Sequence, residues 1–161
     1  MKNNAVFAVL IFLVSCSGEQ KPPLTEEEKG NIVLEVKEIL DNFNAEIKEG
    51  GLTTEFKYLD NSKDFHWTPP GYQSSISYDS VANILKKNAA NYKEIANQFE
   101  SLTIDAISAD TAIYSAKIIS VLTDTTNNPL TIHLKEKGKL IKRKDGWKLL
   151  SGETTVSLTG E

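Results

Sequence analysis

Asp64 and His66 lie two residues apart in Asp64-Phe65-His66-Trp67, so on an extended strand they share one face while Phe65 and Trp67 share the other. If the polar face lines a pocket, the pair is a candidate general base for proton abstraction next to a carbonyl, with a pKa tuned by its surroundings. If the aromatic face points inward, Asp64 and His66 are surface residues on an edge strand. Tyr58, Tyr72, Tyr78 and Tyr114 are candidate hydroxyl donors to an oxygen that gains charge. For each of them the plainer reading is a ring in the core and a hydroxyl at the rim. His133 alternates with Thr131 and Lys135 while Ile132 and Leu134 point the other way, which puts it outside. With two histidines, one cysteine and no HxxxH or clustered carboxylate pattern, no metal site is expected. No GxSxG, P-loop, GxGxxG or HExxH is present, and no cofactor is expected.

The single cysteine follows a different logic. Ala5 to Val14 is an uninterrupted apolar run preceded by Lys2 and followed by the small residues Ser15, Ser17 and Gly18, the layout of an export signal. Such a run reaches about 15 Å as a helix, half of a hydrocarbon core of about 30 Å, too short for a permanent span. Leu13-Val14-Ser15-Cys16 resembles the bacterial lipobox. The resemblance implies diacylglycerol on the Cys16 thiol, cleavage before it and acylation of the new amino group. The expectation is a lipoprotein signal peptide over residues 1–15, a lipidated cysteine and tether over 16–24, and a folded domain over 25–161. Two or three acyl chains, at roughly 0.8 kcal/mol per buried methylene, would hold the mature chain at a membrane of the bacterial cell envelope, periplasm-facing or at the surface.

The elements that must position the candidate residues follow from the remaining pattern. The 161 residues suit one domain with its own core. Eighteen basic against 22 acidic residues, a net charge of −4, give no basic excess to hold a phosphate backbone, so nucleic acid is not expected as a partner. The basic run Lys135 to Lys148 is interrupted by Glu136 and Asp145 and reads as a solvated hairpin face. Thr25 and Glu28 form a capping-box pattern at the head of a helix with an apolar stripe Ile32, Val33, Val36, Ile39, Leu40, Phe43 and Ile47, ending at Gly50-Gly51. Thr54–Leu59 reads as a half-turn or strand, and Asp64–Thr68 as a strand stopped by Pro69-Pro70-Gly71. A second helix is expected from the N-cap Ser77, with Val81, Ile84, Leu85, Ala89, Tyr92, Ile95, Ala96 and Phe99 on one face, so that Tyr92 packs. Leu102–Ser108, Thr111–Thr123, Leu130–Arg143 and Trp147–Leu158 read as strands joined by short turns, hence antiparallel. The fold class is α+β, one curved antiparallel sheet covered by the helices that precede it.

This order of elements, with Phe65-His66-Trp67-Thr68-Pro69-Pro70-Gly71 and the closing Leu140-Ile141-Lys142-Arg143-Lys144-Asp145-Gly146-Trp147-Lys148-Leu149-Leu150, resembles the nuclear-transport-factor-2-like, or SnoaL-like, superfamily, which includes ketosteroid isomerase. The resemblance implies a cone-shaped fold with a pocket between helices and sheet, and a sheet-mediated homodimer as in many relatives. Numerous relatives carry a histidine five or six residues after the tryptophan of the closing segment; here Gly152 and Glu153 occupy that stretch. Glu153 is therefore a further candidate carboxylate facing the pocket, beside the alternative of an exposed glutamate on the last strand. The ligand-binding set implied is Tyr58, His66, Trp67, Tyr72, Tyr114 and Glu153. The favoured expectation is a membrane-anchored domain that binds a small, partly apolar ligand or a protein partner without catalysis. The alternatives are an isomerase, dehydratase or hydrolase using Asp64 and His66 or Glu153 with a tyrosine donor, and an interaction module whose cone is filled by its own side chains.

Overall fold

The computed structural model describes residues 23–157. The expected signal segment, Cys16, most of the tether and the end of the last expected strand at Leu158 lie outside the described residues. The first helix, α1 (Glu26–Gly50), starts where the capping box places it: the Glu28 N–H donates to Thr25 Oγ1 at 3.2 Å and the Thr25 N–H donates to Glu28 Oε2 at 2.8 Å. Its buried stripe is Ile32, Val36, Leu40 and Ile47, and it stops at Gly51, whose φ of +77° suits glycine. A 3-10 turn (Leu52–Lys57), β1 (His66–Thr68) and a second helix, α2 (Tyr78–Ala89), follow. Four strands complete the chain, β2 (Tyr92–Ser108), β3 (Thr111–Asp124), β4 (Pro129–Arg143) and β5 (Gly146–Val156). None of the described helices is long and apolar enough to cross a membrane.

The sheet runs β1-β5-β4-β3-β2, with β2 to β5 antiparallel as their short turns require and β1 added in parallel beside β5, so the whole is mixed. The helices cover one face, and the core between the layers includes Val36, Leu40, Phe65, Leu85, Ile118, Leu140 and Trp147. Glu35 ties α1 to the last hairpin, accepting from Trp147 Nε1 at 2.8 Å and from Lys142 Nζ at 2.6 Å. Arg143 Nε likewise donates to the buried Asp60 at 2.5 Å and holds the segment before β1 against the same hairpin.

One expected element differs. α2 ends at Ala89 with a turn in which the Asn91 N–H donates to the Asn88 carbonyl at 2.9 Å, and Tyr92 to Phe99 belong to β2. The apolar spacing at 92, 95, 96 and 99 satisfies a helical period, but the register irregularity between Tyr92 and Glu94 lets a bulged strand bring Tyr92, Ile95 and Phe99 to one face, with Ala96 turned to the other. Thr54–Leu59 falls mostly in the 3-10 turn, and β1 is two residues shorter than expected at its start.

Candidate functional site

A cavity of about 340 Å³ lies between the helices and the concave face of the sheet. Carbon dominates its walls: Phe43, Phe65, Trp67, Leu85, Tyr92 and Leu134 are among them. Its polar lining residues include Glu55, Asn88, Asn97, Ser120, Glu136 and Thr154, and among the described residues no lysine, arginine or histidine lines it.

A transverse row across four strands builds the polar end. Tyr114 on β3 is in register with Gly138 on β4, Gly138 with Gly152 on β5, and Gly152 with Trp67 on β1. A Cβ at either glycine would collide with the ring beside it, Tyr114 over Gly138 and Trp67 over Gly152. The two bare backbones thus let both rings lie down on the sheet. The rings reach the next row, where Glu136 and Thr154 are partners across β4 and β5. Tyr114 Oη donates to Glu136 Oε1 at 2.6 Å, Thr154 Oγ1 donates to Glu136 Oε2 at 2.8 Å, and Trp67 Nε1 donates to Thr154 Oγ1 at 3.0 Å. Both Glu136 oxygens are therefore held by donors, which in turn are held by packing.

Glu55 enters from the other layer. The 3-10 turn carries it, braced by Thr54 Oγ1 donating to the Gly51 carbonyl at 2.7 Å and by the Tyr58 N–H donating to the Glu55 carbonyl at 2.8 Å. No described side chain hydrogen-bonds its carboxyl. Burial, and then the charge of Glu136, push the Glu55 carboxyl up to about 8. Burial also raises Glu136, but the hydrogen bonds from Tyr114 and Thr154 oppose that rise. Tyr114 is pushed well above the ordinary phenol value by burial and by Glu136, so it remains a donor. The two carboxyl groups consequently differ: Glu55 keeps its proton at neutral pH, whereas Glu136 has both oxygens held by donors that favour its charged form against burial.

The residues singled out by sequence are scattered. Trp67 lines the cavity, and Tyr114 lies in its hydrogen-bonded floor. Asp64 and His66 are exposed, and His66 Nδ1 sits 3.0 Å from the Asp64 backbone carbonyl, so Phe65 and Trp67 take the interior and no catalytic pair forms there. Glu153 is exposed opposite Lys137, because the strand alternation that puts Thr154 inside turns Glu153 out. Tyr58 is buried edge-on against Phe43, with ring centres 5.3 Å apart, and does not line the cavity. Tyr72 is exposed in the turn after β1, and Tyr78 packs edge-on against Phe65 at 5.8 Å. His133 faces away from the cavity, 3.6 Å from Glu100. Tyr92, assigned to helix packing, lines the cavity from β2. Among the described residues no group of His, Cys, Asp and Glu is arranged to hold a metal ion.

Glu55 and Glu136 were missed. The signal for Glu136 is the alternation Ile132, Leu134, Glu136, Gly138, Leu140, which places a lone acid on the apolar face of β4. Glu55 carries no such signal, since its direction depends on a 3-10 turn.

No protein-family model matches the chain, and no curated protein matches it significantly in sequence. Solved structures do match in three dimensions. A Novosphingobium aromaticivorans protein provisionally assigned as a scytalone dehydratase superposes with a TM-score of 0.71 at 9% identity, over 83% of this chain and 89% of its own. A nuclear-transport-factor-2-like superfamily protein from Salmonella enterica gives 0.68 at 12% identity, over 81% and 95%. A hexachlorocyclohexane dehydrochlorinase, LinA type 2, gives 0.66 at 13% identity, over 83% and 90%. At such identities the likeness speaks for backbone architecture and not for chemistry. In its order of helices and its curved mixed sheet, the chain has the nuclear-transport-factor-2-like fold.

Proposed function

We propose that the chain is a lipoprotein of a bacterial cell envelope, held to a membrane by lipid on Cys16, whose domain binds a small, partly apolar molecule. The observation that carries the ligand reading is the open cavity, about 340 Å³ with mostly carbon walls and the hydrogen-bonded Glu136 among its few polar groups. Small-molecule sites usually span about 300–1,000 Å³ and have this composition. A domain acting only through its outer surface would be expected to fill that volume with side chains. The anchor rests on Leu13-Val14-Ser15-Cys16 after the apolar run.

Native mass spectrometry of the full-length chain, extracted from membranes in mild detergent, tests the ligand reading. A bound small molecule is expected in the wild type, and Leu122→Trp, which fills the cavity from its wall, should lose it. Retention of the same mass by the blocked variant, or no bound mass in the wild type, would overturn the reading.

A second reading, proton-transfer catalysis of the isomerase or dehydratase kind, is favoured by the unpartnered Glu55 carboxyl facing the hydrogen-bonded Glu136. Glu136 would take a proton from carbon, the bond electrons would move to a ligand oxygen, and Glu55 would donate a hydrogen bond to that oxygen from the proton it keeps. Exchange of the α-hydrogens of cyclohexanone in deuterated water provides the test. Acceleration lost in both Glu55→Gln and Glu136→Gln supports catalysis; a rate equal to buffer alone rejects it.

A further inference from the structure

The donors and charges around the cavity constrain what enters it. Tyr114, Thr154 and Trp67 all carry polar hydrogens at the floor, and each is already engaged, the first two by Glu136 and the third by Thr154. At this end a ligand carbonyl or carboxylate meets no cation among the described lining residues and no free donor except the Glu55 acid proton; the Asn88, Tyr92, Asn97 and Ser120 side chains line the cavity elsewhere. Acceptors are more plentiful, namely the Glu55 carboxyl and the remaining lone pairs of Glu136.

Charge points the same way. Two carboxyl groups share a low-dielectric space with no lysine, arginine or histidine among its described lining residues. Like charges in such a space cannot both ionise cheaply. A proton on Glu55 relieves this, and a cation from outside would relieve it as well. The walls suit the hydrocarbon part of such a cation, since Phe43, Phe65, Trp67 and Tyr92 line the same volume.

We infer that the cavity takes an organic amine, a compact hydrocarbon bearing one ammonium group, seated with the ammonium facing Glu55 and Glu136 and the hydrocarbon against the aromatic wall. The inference rests on the ligand-binding reading above and specifies its chemistry. An amine arriving as the free base takes the Glu55 proton. One arriving as the ammonium ion releases that proton to solvent. In both cases the bound state is an ammonium between two carboxylates, and the protons balance. Anionic ligands are disfavoured, because no lysine, arginine or histidine among the described lining residues would offset their charge beside the two carboxyl groups.

Three probes that differ only in the polar head decide the matter: benzylamine, benzyl alcohol and benzoate. Each is titrated into the full-length chain while the indole N–H resonance of Trp67 is followed, since that group hydrogen-bonds the floor of the cavity. Benzylamine is expected to bind at least about tenfold more tightly than benzyl alcohol, with no shift from benzoate. In Glu55→Gln and in Glu136→Gln the amine should lose that advantage over benzyl alcohol measured in the same variant, with amide hydrogen exchange showing that the variants are folded. If benzyl alcohol or benzoate matches the amine in the wild type, or the preference survives in both variants, the amine assignment is wrong and the ligand cavity stands. If none of the three moves the Trp67 resonance, the ligand reading falls with it.

Discussion

Gly138 and Gly152 face each other across β4 and β5, each lying beneath an aromatic ring delivered by a flanking strand, Tyr114 from β3 and Trp67 from β1. Gly138→Ala should push Tyr114 off the sheet and weaken its 2.6 Å bond to Glu136, lowering stability by about 1–3 kcal/mol. Gly152→Ala should cost more, because its Cβ also meets the rigid Lys137 carbonyl. Gly30→Ala is the control: it lies in α1 with open space around it and should stabilise by roughly 0.5–1 kcal/mol. Chemical denaturation of the three variants checks the order.

Thr154 is the relay between Trp67 and Glu136, accepting from one and donating to the other. Thr154→Val keeps the shape and leaves the indole N–H without its acceptor. We expect a loss of about 1–3 kcal/mol and a clear movement of the Trp67 indole resonance. Thr154→Ser, which keeps the hydroxyl, should restore that resonance.

The Glu55 carboxyl titrates near 8 in the folded chain, against 4.5 for an unperturbed glutamate. The folded state therefore holds a proton that the unfolded state has released throughout that interval. Stability must fall as pH rises from about 4.5 to about 8 and level off beyond. Glu55→Gln removes the slope, so its unfolding free energy should match wild type near pH 4.5 and exceed it at pH 8.5 by an amount on the order of a few kcal/mol. Equal pH profiles for the two proteins would refute the assignment of that proton to Glu55.

Thr25→Ala removes the hydroxyl that accepts from the Glu28 N–H at the head of α1. A loss of about 1 kcal/mol in unfolding free energy is expected, with the sheet unchanged by amide hydrogen exchange.

Cys16→Ser should abolish fatty-acid labelling and leave uncleaved precursor in cells. Normal processing and release of this variant would show that the chain is not anchored through that cysteine.

Where the sequence was legible, a local rule sufficed. Thr25 and Glu28 announced α1, Pro69-Pro70-Gly71 ended β1, and Asp145-Gly146 turned β4 into β5. Tyr92 to Phe99 were ambiguous because a bulged strand and a helix both bring every third or fourth residue to one side. The site was hidden for another reason. Asp64, His66 and Glu153 drew attention as chemically capable types, yet alternation turned all three outward. Glu136 looked like a break in a basic run until its place in the inward alternation was considered. Glu55 acquires its meaning only from Glu136, 81 positions later, and no pattern within one segment encodes that encounter.

The place of β5 in the sheet has a consequence for how the molecule comes into being. Last in sequence among the strands, it lies between β1 and β4, supplies Thr154 to Trp67 across 87 positions and Trp147 to Glu35 across 112. Until β5 docks, β1 has no neighbour in the sheet and the cavity has no floor. Closure of the domain thus waits for β5, and a nascent chain that has not yet released β5 stays open, dependent on contacts of high sequence separation that form slowly.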